Sequence, residues 1–237
     1  PVALYKLFKL CKKYRPDILH CWDSMTAVYS VPICKLMGIR LVNGMVTDSP
    51  PEQSIRNTQW LRARLTFPFS DYIVGNSNAG LKAYNAPANR SVCIYNGMNF
   101  SRFNNLKAKS LIREEIFGSN SDSFRVLGMV ATFRKNKDYK TLVRTALDLV
   151  HMRDNIRFLL VGDGPEIDNI KNMVPQEDKR KIIFLGKRND VESIINLFDV
   201  GILLTNARVH GEGISNSILE YMAIGIPVIA SRGGGTD

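Results

Sequence analysis

Short apolar runs alternate along this chain with longer segments whose apolar residues recur at helical spacing. Helices are predicted at 2–15, 24–37, 54–67, 76–84, 107–117, 138–151, 165–174 and 190–198, and from residue 215 or 216. Gly38 is predicted to close the second of these helices, and Asp138 and Asp190 are predicted to cap the helices that follow them. Strands are predicted at 18–21, 40–46, 71–75, 91–95, 125–131, 156–161, 181–185, 199–204 and 228–230. This regular alternation predicts an α/β protein with parallel, doubly wound sheets.

The alternation is interrupted once, by a polar and weakly patterned stretch that follows residue 100, and residues 120–123 are predicted to form a loop. We therefore expect two Rossmann-like domains with a cleft between them. Residues 1–100 form the first, which is incomplete, and residues 101–237 form the second, which is truncated at its end.

Composition is that of an ordinary globular protein, with 45% hydrophobic and 23% charged residues among 237. No apolar run of about 18 residues predicts a membrane span, and no signal peptide opens the chain. The chain starts without Met and stops on what reads as a loop, so we expect an internal fragment that lacks both termini.

The formal net charge of +10 suits nucleic acid, an anionic membrane surface or a phosphate-rich substrate. The basic residues are spread out and no arginine-rich run interleaves with aromatics, so we expect no nucleic-acid partner. The four cysteines, at positions 11, 21, 34 and 93, lack metal-like spacing and are predicted to be buried free thiols in a reducing, cytoplasmic compartment.

Residues 210–230 carry two carboxylates around a predicted helix start. Glu212 lies in the preceding loop and Glu220 lies inside the helix, with seven residues between them. The start of a helix offers backbone N–H groups and the positive end of its dipole, which suits a phosphate. Carboxylates on either side of a diphosphate would hold sugar hydroxyls at one end and ribose hydroxyls at the other, which is the shape of a nucleotide-sugar. Apolar residues 218, 219, 222 and 223 are predicted to form the buried face of this helix.

A second candidate phosphate site, formed by basic side chains, is predicted between a strand and a helix. Arg134 and Lys137 lie there and could clamp a diphosphate, Arg through its bidentate fork and Lys as a point charge. The glycine pair Gly162 and Gly164 follows the next strand and is read mainly as a tight turn into a helix.

Two other chemistries are excluded by spacing. His210-Gly-Glu212 matches the His-x-Glu of zinc deaminases, but no cysteine follows Cys93 to complete the metal site. Gly213-Ile-Ser215 lacks the second glycine of a nucleophile elbow. No metal site is expected.

With the spacing Glu-x7-Glu followed by Met222-Ala-Ile-Gly225-Ile-Pro227-Val-Ile-Ala, the sequence resembles the retaining family 4 glycosyltransferases of the GT-B fold (glycosyl transferases group 1). The segment Asn96-Gly-Met-Asn99-Phe-Ser-Arg-Phe103 resembles the one with which these enzymes leave the first domain, with Asn99 in place of the usual Asp. The resemblance covers nearly the whole chain and is densest from residue 95 to residue 235.

The resemblance implies transfer of a hexose-type sugar from a UDP- or GDP-linked donor to an acceptor hydroxyl with retention, without a metal or another cofactor. The implied catalytic residues are Arg134, Lys137 and Glu212. The implied donor-binding residues are Gly213, Ile214, Ser215, Asn216, Glu220, Gly186 and Arg188. The implied acceptor is a sugar or a lipid-linked sugar in cell-surface polysaccharide or glycolipid assembly, which would place the protein in the cytoplasm and peripherally on the inner face of the membrane.

The sequence departs from the family pattern in the first domain. The family commonly has a His in the loop after the second strand, where this chain reads Val42-Asn-Gly-Met-Val-Thr-Asp48, so Asp48 and the backbone of Gly44 are the remaining candidates there. His20, at the end of the preceding strand, is a further candidate. The commonest spacing also places the phosphate-binding Arg at Thr132 rather than at Arg134.

Two other functions remain open. One is a nucleotide-sugar-binding protein without catalysis, because the glycine-rich loop and the C-terminal helices of the family are missing from this sequence. The other keeps the fold and changes the reaction, as in an epimerase or a phosphorylase, although no pyridoxal lysine site is evident.

Overall fold

The structure is a computed structural model that describes residues 2–51, 54–118, 124–209 and 211–236. Its contacts group the chain into two compact units. Unit 1 comprises residues 1–96, 208–214 and 233–237, and unit 2 comprises residues 97–207 and 215–232. Two short segments late in the chain therefore pack with unit 1, which no pattern in the sequence indicates. The predicted loop at 120–123 lies outside the described residues.

Unit 1 contains a four-stranded, fully parallel sheet in the order β1-β2-β3-β4. Its strands are β1 Ile18–Cys21, β2 Arg40–Val46, β3 Tyr72–Gly75 and β4 Ser91–Cys93, and its helices are α1 Val2–Tyr14, α2 Ser24–Met37, α3 Thr58–Thr66 and α4 Asn78–Ala83.

Unit 2 contains a five-stranded, fully parallel sheet in the order β7-β6-β5-β8-β9. Its strands are β5 Arg125–Val130, β6 Ile156–Val161, β7 Ile182–Gly186, β8 Val200–Leu203 and β9 Val228–Ala230, and its helices are α5 Lys109–Phe117, α6 Tyr139–Met152, α7 Ile167–Lys171, α8 Val191–Ile195 and α9 Asn216–Ala223. The order reverses at β5, because β6 lies on one side of it and β8 on the other. Such a reversal is where open α/β sheets bind ligands, at the carboxyl ends of the strands.

Successive side chains of the central strands in unit 2 point to opposite faces of the sheet, and helices cover both faces. Phe158 and Leu160 of β6 pack in one apolar cluster with α6, whereas Leu159 and Val161 pack in another with α8 and α9. This two-sided burial explains why the strands read as continuous apolar runs in the sequence.

The predicted α/β fold with parallel sheets is confirmed, and so are several of its helix caps. Gly38 closes α2 with φ of 69°, and Asp138 caps α6 by accepting from the Thr141 N–H at 3.2 Å. All four cysteines are free, and Cys11, Cys21 and Cys34 are buried as predicted, whereas Cys93 is only half-buried.

Two details of the sequence interpretation are wrong. Asp190 makes no side-chain cap on α8, because its carboxylate is engaged by Arg188 and Lys107. The buried face of α9 matches the predicted apolar stripe only in part: Ile218 packs against the core, but Met222 is 64% exposed, and Glu220 and Tyr221 are buried. Within the described residues, no helix has both the length and the apolar character that crossing a bilayer requires.

Candidate functional site

The basic loop of unit 2 leaves β5 at the point where the strand order reverses. Residues 131–138 fold back between the ends of β6 and β8, because the Phe133 N–H donates to Asp163 O at 3.0 Å and the Asp138 N–H donates to Leu204 O at 2.9 Å. Lys137 forms an antiparallel backbone bridge with Thr205, directly after β8. Arg134 is exposed and Lys137 is half-buried, so both predicted phosphate ligands lie at the carboxyl edge of this sheet.

Gly162 and Gly164 make room for that loop. A Cβ on Gly162 would lie 2.0 Å from Ala131 O, and a Cβ on Gly164 would lie 2.5 Å from Phe133 O. Both glycines also have positive φ angles, of 135° and 155°. The turn predicted from this pair therefore packs directly against the backbone of the basic loop.

Helix α9 is anchored to the same strand end. Ser217, in its first turn, donates to Val130 O at 2.6 Å, and Tyr221 accepts from the Val130 N–H at 2.8 Å. The ring of Tyr221 fits because residue 201 on β8 is glycine, where a Cβ would lie 2.4 Å from the ring. The start of α9 and the basic loop therefore both lie at the end of β5.

The predicted phosphate site at the start of α9 has the expected helix boundary. Ser215 is the N-cap residue with extended backbone and makes no side-chain cap hydrogen bond, and Asn216 is the first helical residue. Their backbone amides belong to a helix of eight residues, at its positive end.

Glu220 faces an arginine. It is 8% exposed, and its Oε1 accepts from Arg102 Nη1 at 3.1 Å. Arg102 also donates from Nε to Glu192 Oε1 at 2.6 Å. Burial raises the pKa of Glu220, and the charge and hydrogen bond of Arg102 oppose that rise.

Arg188 is engaged by two carboxylates. Its Nε and Nη2 donate to Asp190 at 2.9 and 3.0 Å, and Nη2 also donates to Glu115 at 2.8 Å. Hydrogen bonds from Arg188 and then from Lys107 lower the pKa of Asp190 to about 2. Gly186, at the end of β7, has φ of 65° and accepts from the Gly162 N–H at 2.9 Å. The geometry thus gives Gly186 a backbone role and gives Arg188 a role in orienting its loop.

The other predicted residues of the motif, Glu212, Gly213 and Ile214, pack within unit 1. Glu212 is 9% exposed and pairs through its backbone with Asp48 in an antiparallel bridge. A Cβ on Gly213 would lie 2.4 Å from Thr47 O, so the loop after β2 requires glycine at that position. Asn96 Nδ2 donates to Ile214 O at 3.3 Å.

The first-domain candidates also lie in unit 1. The Asp48 carboxylate accepts from the Tyr84 hydroxyl at 2.7 Å, and the pKa of Tyr84 is raised by burial and then by the charge of Asp48. A Cβ on Gly44 would lie 2.9 Å from His20 Nε2, so that ring lies against the Gly44 backbone.

Unit 2 therefore brings Arg134, Lys137, Ser215 and Asn216 to one edge of its sheet, and unit 1 holds Glu212, Gly213 and Ile214. Arg102 was missed because nothing in the local pattern shows which carboxylates it meets 90 and 118 residues later. His210 lies outside the described residues. No cluster of three His, Cys, Asp or Glu side chains suited to a metal ion occurs among the residues that the structure describes.

A reversed parallel sheet whose carboxyl edge carries a glycine turn, a basic loop and a helix start is the architecture of nucleotide-binding α/β proteins. The family model described as Glycosyl transferases group 1 matches residues 124–237. That match covers just under half of the chain, and the fold of the chain is GT-B.

Two curated relatives are similar in sequence. UDP-Gal:alpha-D-GlcNAc-diphosphoundecaprenol alpha-1,3-galactosyltransferase of Escherichia coli is 26% identical, over 99% of this chain and 62% of the relative. N-acetyl-alpha-D-glucosaminyl L-malate synthase of Bacillus anthracis is 35% identical, over 48% of this chain and 29% of the relative. The chain thus spans less than two thirds of the length of each.

Solved structures share the fold. Anabaena HepE in complex with UDP and glucose superposes with a TM-score of 0.82 at 21% identity, over 98% of this chain and 63% of HepE. A glycosyltransferase from Rickettsia africae superposes with a TM-score of 0.75 at 22% identity, over 98% of this chain and 62% of that one.

Proposed function

We propose that the protein is a retaining glycosyltransferase, which moves a hexose-type sugar from a nucleotide-sugar to an acceptor hydroxyl. The observation that carries the proposal is the convergence in unit 2 of the Arg134–Lys137 loop and the start of α9 at the end of β5, where Ser217 donates to Val130 O. The group 1 family match over residues 124–237 supports the same reaction class.

We propose UDP as the nucleotide of the donor. HepE was solved in complexes with UDP, with UDP and glucose, and with UDP-glucose, and the E. coli relative is named for UDP-Gal. In this chain the diphosphate would meet the amides of Ser215 and Asn216, and the ribose would meet Glu220. The backbone around Gly186 would hold the base, with Arg188 orienting its loop through Asp190.

In the proposed mechanism, Lys137 and Arg134 stabilise the negative charge that develops on the departing diphosphate. Charge stabilisation of this kind is commonly the largest single contribution to catalysis. Glu212 would hold hydroxyls of the transferred sugar. The departing phosphate would help to deprotonate the acceptor hydroxyl, which then attacks the same face of the sugar that the diphosphate leaves. Attack on that face retains the anomeric configuration, and the step requires no metal.

We propose a sugar or lipid-linked sugar as the acceptor, in cell-surface polysaccharide or glycolipid assembly. The name of the E. coli relative gives it a diphosphoundecaprenol-linked acceptor. Such an acceptor suits a cytoplasmic protein that lies peripherally on an anionic membrane. Helix α1 supports this, since it has no acidic residue in its first turn and exposes Lys6, Lys9, Lys12 and Lys13 together with Tyr5 and Tyr14.

Turnover tests the reaction. Purified protein is incubated with UDP-glucose, UDP-galactose, UDP-N-acetylglucosamine and GDP-mannose and with a polyprenyl diphosphate-linked sugar, and nucleotide release and product are followed with magnesium and with EDTA. We expect one donor to be used equally in both media, and the anomeric coupling of the product in NMR to match that of the donor. An inverted product or dependence on magnesium would contradict the proposed mechanism.

Two variants of the basic loop connect turnover to the site. Lys137→Ala is expected to lower kcat about 100-fold because one charge-stabilising group is lost. Lys135→Ala, an exposed lysine of the same loop, is the matched control and is expected to match the wild type. Equal effects of the two substitutions would argue against Lys137 as a phosphate ligand.

Vesicle flotation tests the membrane proposal. We expect the protein to float with phosphatidylglycerol vesicles at low salt and not with phosphatidylcholine vesicles, and the combined Lys6, Lys9, Lys12 and Lys13 to Ala variant to remain in solution. Lys140→Ala, which replaces an exposed lysine on α6, is the control. Equal flotation with both lipids would contradict an electrostatic association.

A further inference from the structure

Arg102 is placed by a small capped turn at the start of unit 2. It belongs to the 3₁₀ helix Phe100–Phe103, for which Asn99 is the N-cap residue. The Asn99 side chain accepts from the Ser101 N–H at 3.1 Å and from the Ser101 hydroxyl at 2.7 Å. Asn99 thus caps the turn from which Arg102 extends.

The guanidinium of Arg102 joins two helices. Its Nε donates to Glu192 on α8 at 2.6 Å, and its Nη1 donates to Glu220 on α9 at 3.1 Å. The side chains of Glu192 and Glu220 are only 16% and 11% exposed, whereas that of Arg102 is 44% exposed. Because a guanidinium is planar and its donors are fixed, this double contact sets the direction of the Glu220 carboxylate.

Only one oxygen of Glu220 takes part in this contact. Oε1 accepts from Arg102, and Oε2 is the other acceptor of the same carboxylate. Glu220 lies on α9 three residues after Ser217, whose hydroxyl ties the start of that helix to Val130 at the end of β5.

We propose that Arg102 is a positioning residue for the nucleotide: it orients Glu220 so that the second carboxylate oxygen accepts from the ribose hydroxyls. The inference rests on the proposed function and adds to it a group outside the motifs from which that function was predicted. The contrary possibility is that Arg102 only cross-links α8 and α9.

The electrostatics around Glu220 make the two possibilities distinguishable. Burial and the negative charge of Glu192 raise the pKa of Glu220, and the two contributions that lower it both come from Arg102. The neighbouring Tyr221 is a neutral phenol whose own pKa is raised mainly by burial. Without Arg102 the Glu220 carboxylate is expected to protonate more readily, and so to lose its acceptor role first at low pH.

The test compares nucleotides with and without ribose hydroxyls. Binding of UDP, GDP and their 2′,3′-dideoxy analogues is measured by calorimetry at about pH 5.5 and about pH 8, because a carboxyl whose pKa is raised protonates first on the acid side. The variants are Arg102→Ala, Arg102→Lys and Glu220→Gln, and thermal unfolding confirms that each is folded. Arg125→Ala is the matched control, because Arg125 forms an exposed ion pair with Asp199 in the same unit at 2.9 Å.

We expect the wild type to prefer the ribose form by about tenfold or more, which is the effect of a hydrogen bond to a charged group. Glu220→Gln should lose most of this preference at both pH values. Arg102→Ala should lose it at low pH and regain part of it at high pH, Arg102→Lys should retain more than Arg102→Ala, and Arg125→Ala should behave as the wild type. A ¹³C NMR titration without ligand should show a higher pKa for the Glu220 carboxyl in Arg102→Ala than in the wild type.

Two different results would overturn the inference. If Glu220→Gln loses the ribose preference and a folded Arg102→Ala keeps it fully at both pH values, Arg102 does not position Glu220, and the proposed function stands. If the folded wild type binds neither UDP nor GDP, the proposed function fails and the inference fails with it.

Discussion

Gly164 shows at the residue scale how a single Cβ would disturb the site. Its φ is 155°, and a Cβ would lie 2.5 Å from the carbonyl oxygen of Phe133 in the basic loop. We expect Gly164→Ala to lower the free energy of unfolding by about 1–3 kcal/mol, since both backbone strain and a clash result. It should also weaken nucleotide binding, because the loop that carries Lys137 must move.

Thermal unfolding and nucleotide titration of Gly164→Ala check this prediction. Gly97→Ala is the matched control, because nothing lies within 4 Å of the Cβ it would add. If Gly164→Ala is as stable as Gly97→Ala, the basic loop can move away from the added Cβ without lowering the free energy of unfolding, which would contradict the prediction.

Asp190 gives a pH dependence of stability. Its pKa is lowered from 3.8 to about 2 by Arg188 and Lys107, so its stabilising contribution is fully present above about pH 4 and is lost as the pH falls through about 2. Asp190→Asn should therefore lower the free energy of unfolding by about 1 kcal/mol at neutral pH. The difference from the wild type should shrink between about pH 4 and about pH 2.

Denaturant unfolding over that pH range measures the effect. Asp148→Asn, which removes an exposed carboxylate on α6, is the control and should change stability little at any pH. A deficit in Asp190→Asn that is independent of pH would mean that the carboxylate acts through shape rather than charge.

The two aspartates predicted as helix caps show why residue-level prediction succeeds or fails. Asp138 caps α6 through contacts three residues away, which local spacing reveals. Asp190 meets Lys107, which is 83 positions away, and such a partner is set by the tertiary fold. Arg102 was missed for the same reason.

Helix α9 is the element on which the site depends most. Tyr221 is fully buried, accepts from the Val130 N–H and donates to Ile202 O at 3.3 Å, so its hydroxyl ties α9 to β5 and β8. We expect Tyr221→Phe to lower the free energy of unfolding by about 1–3 kcal/mol, because the buried N–H of Val130 loses its partner.

Hydrogen exchange and denaturant unfolding test this contribution of Tyr221. The Val130 amide should exchange faster in Tyr221→Phe, and Tyr72→Phe, an exposed tyrosine, serves as control. Unchanged exchange at Val130 would show that the hydroxyl does not hold the helix.

The period of an element is read from sequence more reliably than its buried face. The boundaries of α9 and of the central strands followed from apolar periodicity and from glycine and proline positions. The face did not, because Tyr221 packs into space that Gly201 opens on a strand. A pairing of a large side chain with a distant glycine leaves no local signal.

At the scale of the whole molecule, the alternating pattern predicted two parallel sheets, and the motifs predicted the GT-B fold. The motif around Glu212 and Glu220 reads as one continuous segment in sequence. In the structure its first part packs with unit 1, beside Asp48, and its helix packs with unit 2. Which unit a loop joins is decided by contacts with chain far away, such as the close approach of Gly213 to Thr47, and no spacing rule contains them.

The central claim is that the carboxyl edge of the sheet in unit 2 binds the nucleotide of a sugar donor. Calorimetric titration of UDP into the wild type, Lys137→Ala and Lys135→Ala, with magnesium and with EDTA, tests it most directly. We predict saturable binding at one site in both media, weakened about tenfold or more by Lys137→Ala and unchanged by Lys135→Ala. A folded wild-type protein that binds no UDP, or binding that Lys137→Ala leaves intact, would contradict it.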